Sequence, residues 1–122
     1  MSQDNGDAKA FIADLVARSR AAQKQIEHYS QERVDGLIRA MVWSVARPGM
    51  AEEIAQFTVD ETQLGNYDGK FLKIQRKTRA TLLDIIHDKS VGIIEEYPER
   101  NIRVLAKPLG VIGALAPSTN PE

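Results

Sequence analysis

Pro117-Ser118-Thr119-Asn120-Pro121 sets one amide side chain between two prolines and two hydroxyls, directly after an apolar run. An amide is neutral at any working pH and donates a hydrogen bond without titrating. Pro121 holds Asn120 extended, because a residue before proline is biased away from the helical region. Taken alone, Ser-Thr-Asn-Pro reads more simply as a turn than as a site. The other chemically capable residues form no constellation. His28 and His87 are far apart in sequence and have no second ligand at metal spacing, so a structural role near helix ends suits them better. Gly110 and Gly113 lack the Gly-x-Gly-x-x-Gly spacing of a phosphate-binding turn and are read as structural. Lys70, Lys73, Arg76, Lys77 and Arg79 cluster on one predicted helix, with Lys70, Lys73 and Lys77 on one side. No aromatic residues interleave there to stack bases, so the bland reading is a solvated face. Trp43 is read as a packing residue at an interface, and Glu61 as structural.

Four amphipathic segments must position whatever site exists. Residues 8–29 carry Phe11, Ile12, Leu15, Val16, Ala22, Ile26 and Tyr29 at three-and-four spacing, with Asp7 as the expected N-cap. Ser30 is the expected N-cap of a second helix, with Glu32 in its first turn and Val34, Leu37, Ile38, Met41, Val42 and Val45 as its inward stripe. Arg47-Pro48-Gly49 ends it. A third helix over 51–64 is expected to turn Ile54, Phe57 and Leu64 inward, with Gly65-Asn66 as its punctuation. The fourth, over 68–86, uses Phe71, Leu72, Ile74, Leu82, Leu83 and Ile86.

After His87 the period changes from helical to extended. Ser90–Tyr97 looks like a strand, and Ile102, Val104 and Ala106 alternate with Arg103, Leu105 and Lys107. Pro108 puts that second strand at an edge or bend. The run 110–116 is nearly all apolar, as suits a strand covered on both faces. Four helices followed by strands that need more neighbours predict part of a larger α/β fold.

The bulk numbers exclude several classes. With 43% hydrophobic and 27% charged residues the chain is of ordinary globular composition. A net charge of −1 supplies no global attraction for nucleic acid or anionic lipid. No apolar stretch approaches a membrane span, and the opening residues lack a secretory pattern. The chain has no cysteine, so disulfides, cysteine-ligated zinc and a cysteine nucleophile are absent from these 122 residues. A cytoplasmic setting is the default expectation.

Three segments in order resemble the aldehyde dehydrogenase superfamily, in its coenzyme A-acylating branch. Lys107–Pro121 is similar to the stretch joining the oligomerisation strands to the first strand of the NAD-binding domain. Val59–Lys70 resembles a Val-Glu-Glu-Thr-Gly-x-Gly-x-x-x-Asp-Lys pattern, and Lys89–Pro98 the segment before a long hairpin. Two departures stand out: Gln63 replaces the family's usual glycine, and Gly69 is inserted between Asp68 and Lys70. The resemblance covers 50–122 well, and the first fifty residues in helical character alone.

The resemblance implies an α/β architecture in which 1–122 is the N-terminal part of one fold. Residues 1–100 would be the helical part of the cofactor domain, 101–109 an oligomerisation-type strand, and 110–122 the first Rossmann-like strand with its asparagine-bearing loop. It implies oxidation of an aldehyde to an acyl-coenzyme A thioester with NAD or NADP. Sulfoacetaldehyde is the favoured substrate, on the likeness of residues 77–98, ahead of acetaldehyde and succinate semialdehyde. In that chemistry a cysteine thiolate, expected beyond Glu122, attacks the carbonyl, and Asn120 donates to the oxygen that becomes negative. Ala116, Pro117, Ser118 and Thr119 match positions lining the cofactor cleft. The implied partners are a small aldehyde and coenzyme A, with a homo-oligomer in the full-length protein and no nucleic acid or membrane. No metal ligand is implied. The rival expectation is a free-standing helical binding module whose basic helix is the contact surface.

Overall fold

A computed structural model describes residues 4–117 and Thr119. The chain divides into two compact units, one made of 1–30 with 91–113, the other of 31–90 with 114–122.

In the first unit, α1 (Asp4–Ile26) is a single 23-residue helix. It starts before the expected cap, so Asp7 lies inside the helix. Its apolar stripe has the predicted spacing, yet Phe11 is 62% and Ile12 53% exposed. The unit's sheet is a hairpin of β1 (Gly92–Tyr97) and β2 (Ile102–Ala106), paired antiparallel from Gly92 opposite Ala106 to Tyr97 opposite Ile102. A bulge falls between Ile93 and Glu95, where the register shifts. Pro98–Arg100 form a single 3-10 turn closed by Asn101 in the left-handed region at φ 53°. Across the hairpin, Arg103 Nε meets the Glu96 carboxylate at 2.8 Å in exposed surroundings. The Tyr97 hydroxyl donates to Glu95, and that carboxylate raises the phenol above its ordinary pKa. The helix-then-hairpin order agrees with the predicted α/β class.

The strand expected over 110–116 is not formed: residues 107–117 run without regular secondary structure. A strand needs a neighbour to receive its N–H and C=O groups, and the only sheet among the described residues is the two-stranded hairpin.

The second unit packs α2 (Gln31–Ala46), α3 (Met50–Thr62) and α4 (Tyr67–Ile85) together. Its core is small-residue packing: Ala51 and Ala55 are fully buried, Ile74 is nearly so, and Ile54, Tyr67 and Phe71 close over them. Alanines let helices approach closely, so little volume separates α3 from α4. The Tyr67 and Phe71 rings, one helical turn apart, lie parallel with centroids at 6.0 Å.

Polar side chains complete the helix ends. Gln75 Nε2 donates to the Ala46 carbonyl at 2.9 Å, satisfying an orphan acceptor of the last turn of α2. Gly49, at φ +85°, precedes α3, and its N–H is taken by the Glu52 carboxylate at 2.7 Å. Gln31 ties the start of α2 to the segment after α4: its oxygen accepts the Ser90 N–H at 2.8 Å and its amide donates to Ser90 Oγ at 3.1 Å. α2 does open directly after Ser30, with Glu32 in its first turn.

Several predicted core residues lie outside it. Leu37 is 41%, Met41 70%, Phe57 66%, Leu64 46%, Leu72 46% and Leu83 70% exposed, while Val34, Ile38, Val42, Leu82 and Ile86 are half-buried. Periodicity locates an apolar stripe but not how wide a facing surface exists. Each helix here buries only the part of its stripe that meets a neighbour. α3 also ends earlier than expected, at Gln63, which itself takes the left-handed φ of 55° and donates its backbone N–H to the Val59 carbonyl. Gly65, at φ +78°, lies in the bend between the helices, and Asn66 caps the next one.

Candidate functional site

Of the residues singled out near the C-terminal end, Ala116, Pro117 and Thr119 are described, and they belong to the second unit. Ala116, Pro117 and Thr119 are exposed. Ser118 and Asn120 lie outside the described residues. Nothing larger than a methyl, a proline ring or a threonine projects from the three described positions.

α4 is set in place locally. Asn66, extended at φ −140°, is its N-cap, and Asn66 Oδ1 accepts the Gly69 N–H at 2.8 Å. Gly69, the inserted residue, suits that approach, because a Cβ there would sit 3.1 Å from Asn66 Oδ1. Asp68 adds a favourable negative charge in the first turn. Directly after comes Lys70, only 8% exposed. Lys70 Nζ reaches the Thr119 carbonyl oxygen at 3.4 Å, joining residues 49 apart in sequence.

Lys70 was not among the expected site residues. Spacing groups it with the solvated basic face, but it is buried. Lys70 is buried and Lys73 half-buried, while Arg76, Lys77 and Arg79 are exposed. The five cations therefore do not all share one solvated face. One signal in the sequence marks Lys70 as unusual. A cation in the first turn opposes the helix dipole, so a lysine there wants another reason to stay.

His28 and His87 are exposed, and no group of three potential metal ligands exists among the described residues. No helix is long and apolar enough to cross a membrane. Trp43 is 59% exposed on α2.

Among the described residues, the contact this unit presents is Lys70 Nζ against the carbonyl of Thr119. Sequence similarity extends along nearly all of the chain, to members of the aldehyde dehydrogenase superfamily in its acylating branch, of which the chain matches one part. The chain is 40% identical over 111 residues to a sulfoacetaldehyde dehydrogenase of an Acholeplasma species, covering 91% of this chain and 23% of that protein. It is 37% identical over 114 residues to a sulfoacetaldehyde dehydrogenase (acylating) of Cupriavidus necator, covering 93% and 23%. With a succinate-semialdehyde dehydrogenase (acetylating) of Clostridium kluyveri it shares 43% identity over 110 residues, covering 90% and 24%. The chain thus spans about a quarter of the length of these relatives. No family model matches it.

Proposed function

We propose that this chain is the N-terminal portion of an NAD(P)-dependent, coenzyme A-acylating aldehyde dehydrogenase, which converts a small aldehyde to an acyl-coenzyme A thioester. The observation that carries the reading is identity of 37–43% across nine-tenths of the chain to dehydrogenases named as acylating or acetylating. Sulfoacetaldehyde is the favoured substrate, since relatives at 40% and 37% identity carry that name. Succinate semialdehyde stands next, on the 43% identity to the Clostridium kluyveri enzyme. Acetaldehyde is the third candidate.

In this reading Asn120 is the catalytic group of the segment. Its amide donates to the aldehyde oxygen as that oxygen gains negative charge, and stays neutral throughout. Pro121 limits Asn120 to an extended backbone and so narrows the directions in which the amide points. Ala116, Pro117, Ser118 and Thr119 form a rim of the cofactor cleft through backbone and shape rather than charge. A bound NAD or NADP would supply the hydride acceptor. The attacking thiolate is not in this chain, which contains no cysteine, and is assigned to sequence outside it. Residues 1–100 are assigned to the helical part of the cofactor domain, 101–109 to an oligomerisation-type strand, and 110–122 to the first cofactor-domain strand with the Asn120 loop. A cytoplasmic homo-oligomer completes the proposal.

Asn120→Ala in the complete enzyme tests the reading. Losing one such donor lowers turnover by about 10²–10³ while the protein remains folded. Asn120→Asp is at least as harmful, because an ionised carboxylate cannot donate and repels the developing oxyanion. Cofactor affinity changes much less than turnover, since the bond strengthens chiefly in the transition state. Near-normal turnover in both folded variants would make Asn120 a turn residue and end the proposal.

A further inference from the structure

We propose that α3 and α4 carry the two halves of a contact between copies of this chain: the acidic outer face of α3 in one copy docks on the basic outer face of α4 in another. The residues involved lie outside the Asn120 segment and outside 101–109, so the contact is independent of the function proposed above.

Each face is defined by what it lies opposite. On α3 the buried residues Ala51, Ala55 and Thr58 recur at steps of four and three and form the stripe that packs inward. At about 3.6 residues per turn, Glu53, Phe57 and Asp60 fall on the far side. All three are exposed, Phe57 at 66%. α4 repeats the arrangement. Lys70 and Ile74 are buried and Thr78 half-buried, while Leu72, Arg76, Arg79 and Leu83 run along the opposite side, all exposed. Because α3 and α4 pack on each other through their covered sides, these two outer faces cannot meet within one molecule.

The faces complement each other in spacing and in charge. Steps of three and four along a helix are those of a seam that packs knobs into holes on a second helix. The α3 face reads acid, ring, acid, and the α4 face leucine, arginine, arginine, leucine. Both patterns read alike from either end, so the match holds whichever way the two helices run. With their centres aligned, the Phe57 ring meets Arg76 and Arg79, whose guanidinium groups stack on an aromatic face. Glu53 and Asp60, about 10 Å apart along the axis, then flank the two arginines. Among the described residues the side chains of Glu53, Arg76 and Arg79 form no ion pair or hydrogen bond. Asp60 Oδ1 accepts from Gln56 at 2.8 Å, which leaves Oδ2 for an arginine. Asp60 also lies in the last turn of α3, where the helix dipole disfavours a carboxylate, so helix stability does not account for it.

The two kinds of group contribute differently. Exposed ion pairs add little affinity by themselves. Covering Phe57, Leu72 and Leu83 supplies the driving force, and the charges choose partner and register. Each copy presents one face of each sign, so the contact is heterologous.

The test uses the complete enzyme in two charge-reversed forms, Arg76→Glu/Arg79→Glu and Glu53→Arg/Asp60→Arg, each screened by thermal melts. The first form has two acidic faces and the second two basic ones. Each alone should therefore associate at least about tenfold more weakly than wild type in analytical ultracentrifugation. An equimolar mixture should return to within about threefold of wild type, because acidic faces again meet basic ones across copies. Association through 101–109 uses other residues, so recovery on mixing, rather than subunit number, reads this contact. Undiminished association in either folded form would overturn the proposal. So would a loss that mixing does not restore, which would assign the two faces to cover by further polypeptide of the same molecule. If a reversed form unfolds, Arg76→Gln/Arg79→Gln replaces it. Wild-type association should weaken as salt is raised, and this neutral form should show a smaller salt dependence. An equal salt dependence in the two would overturn the contact.

Discussion

Asn66 Oδ1 and the Gly69 backbone nitrogen are 2.8 Å apart, closing the first turn of α4 just ahead of Lys70. This cap satisfies one of the orphan donors at the helix start. Asn66→Ala should therefore cost about 1 kcal/mol of stability, while Asn66→Asp or Asn66→Ser should cost only a few tenths. Chemical denaturation of the three variants checks this. Equal losses in all three would mean that the cap oxygen is not what matters at this position.

Gln63 occupies the left-handed C-terminal position of α3 at φ 55°, and its side-chain amide donates to the Asp60 carbonyl at 2.7 Å. The family's usual glycine would meet the same backbone demand without steric cost. Gln63→Gly should accordingly change stability by less than about 1 kcal/mol, its relaxed backbone offset by the lost side-chain bond and greater unfolded-state freedom. Gln63→Val, β-branched at positive φ, should destabilise by about 1–2 kcal/mol. Urea midpoints at constant slope distinguish the two.

The Tyr97 phenol, hydrogen-bonded to the Glu95 carboxylate, is raised above its ordinary pKa. A raised folded-state value means that this contact's contribution is present below the unfolded phenol pKa of about 10 and is lost as pH rises through the folded value. Glu95→Gln should lower the Tyr97 pKa toward that of an ordinary phenol. Titration of the tyrosine ring signals by NMR, comparing Tyr97 with Tyr29 and Tyr67, measures it. No downward movement in Glu95→Gln would show that the pair does not persist in solution.

The isolated 122-residue chain should oxidise no aldehyde with NAD+ or NADP+, with or without coenzyme A, because it holds no cysteine. It should also associate as concentration rises. Met41, Phe57 and Leu83 are each more than 60% exposed, and Leu109 and Leu115 more than 90%. Turnover by contaminant-free chain would defeat the first expectation. A monodisperse monomer across a wide concentration range would defeat the second.

Much of the fold was legible in the residues themselves. Apolar spacing located all four helices, and the change to period two located both strands of the hairpin. These are local signals, carried by neighbours along the chain. The ends were less legible: Asp7 looked like a cap yet lies within α1, and Gly65 looked like the end of α3 although Gln63 ends it. Several side chains can satisfy a helix terminus, and which one does so depends on a few degrees of backbone that composition does not encode.

What sequence alone determined, then, was the class and order of the four helices and the two hairpin strands, though not the strand expected over 110–116. The tertiary structure decided which of the apolar residues are covered. It chose Ala51, Ala55 and Ile74 over Phe57 and Leu83, because burial depends on a facing surface and not on hydrophobicity. It also decided the place of Lys70, which by spacing belongs with the basic face of α4. Its ammonium lies instead against the carbonyl of Thr119, a residue 49 positions away. No periodicity within one helix can register such a partner, because the contact exists only once the chain has folded back on itself.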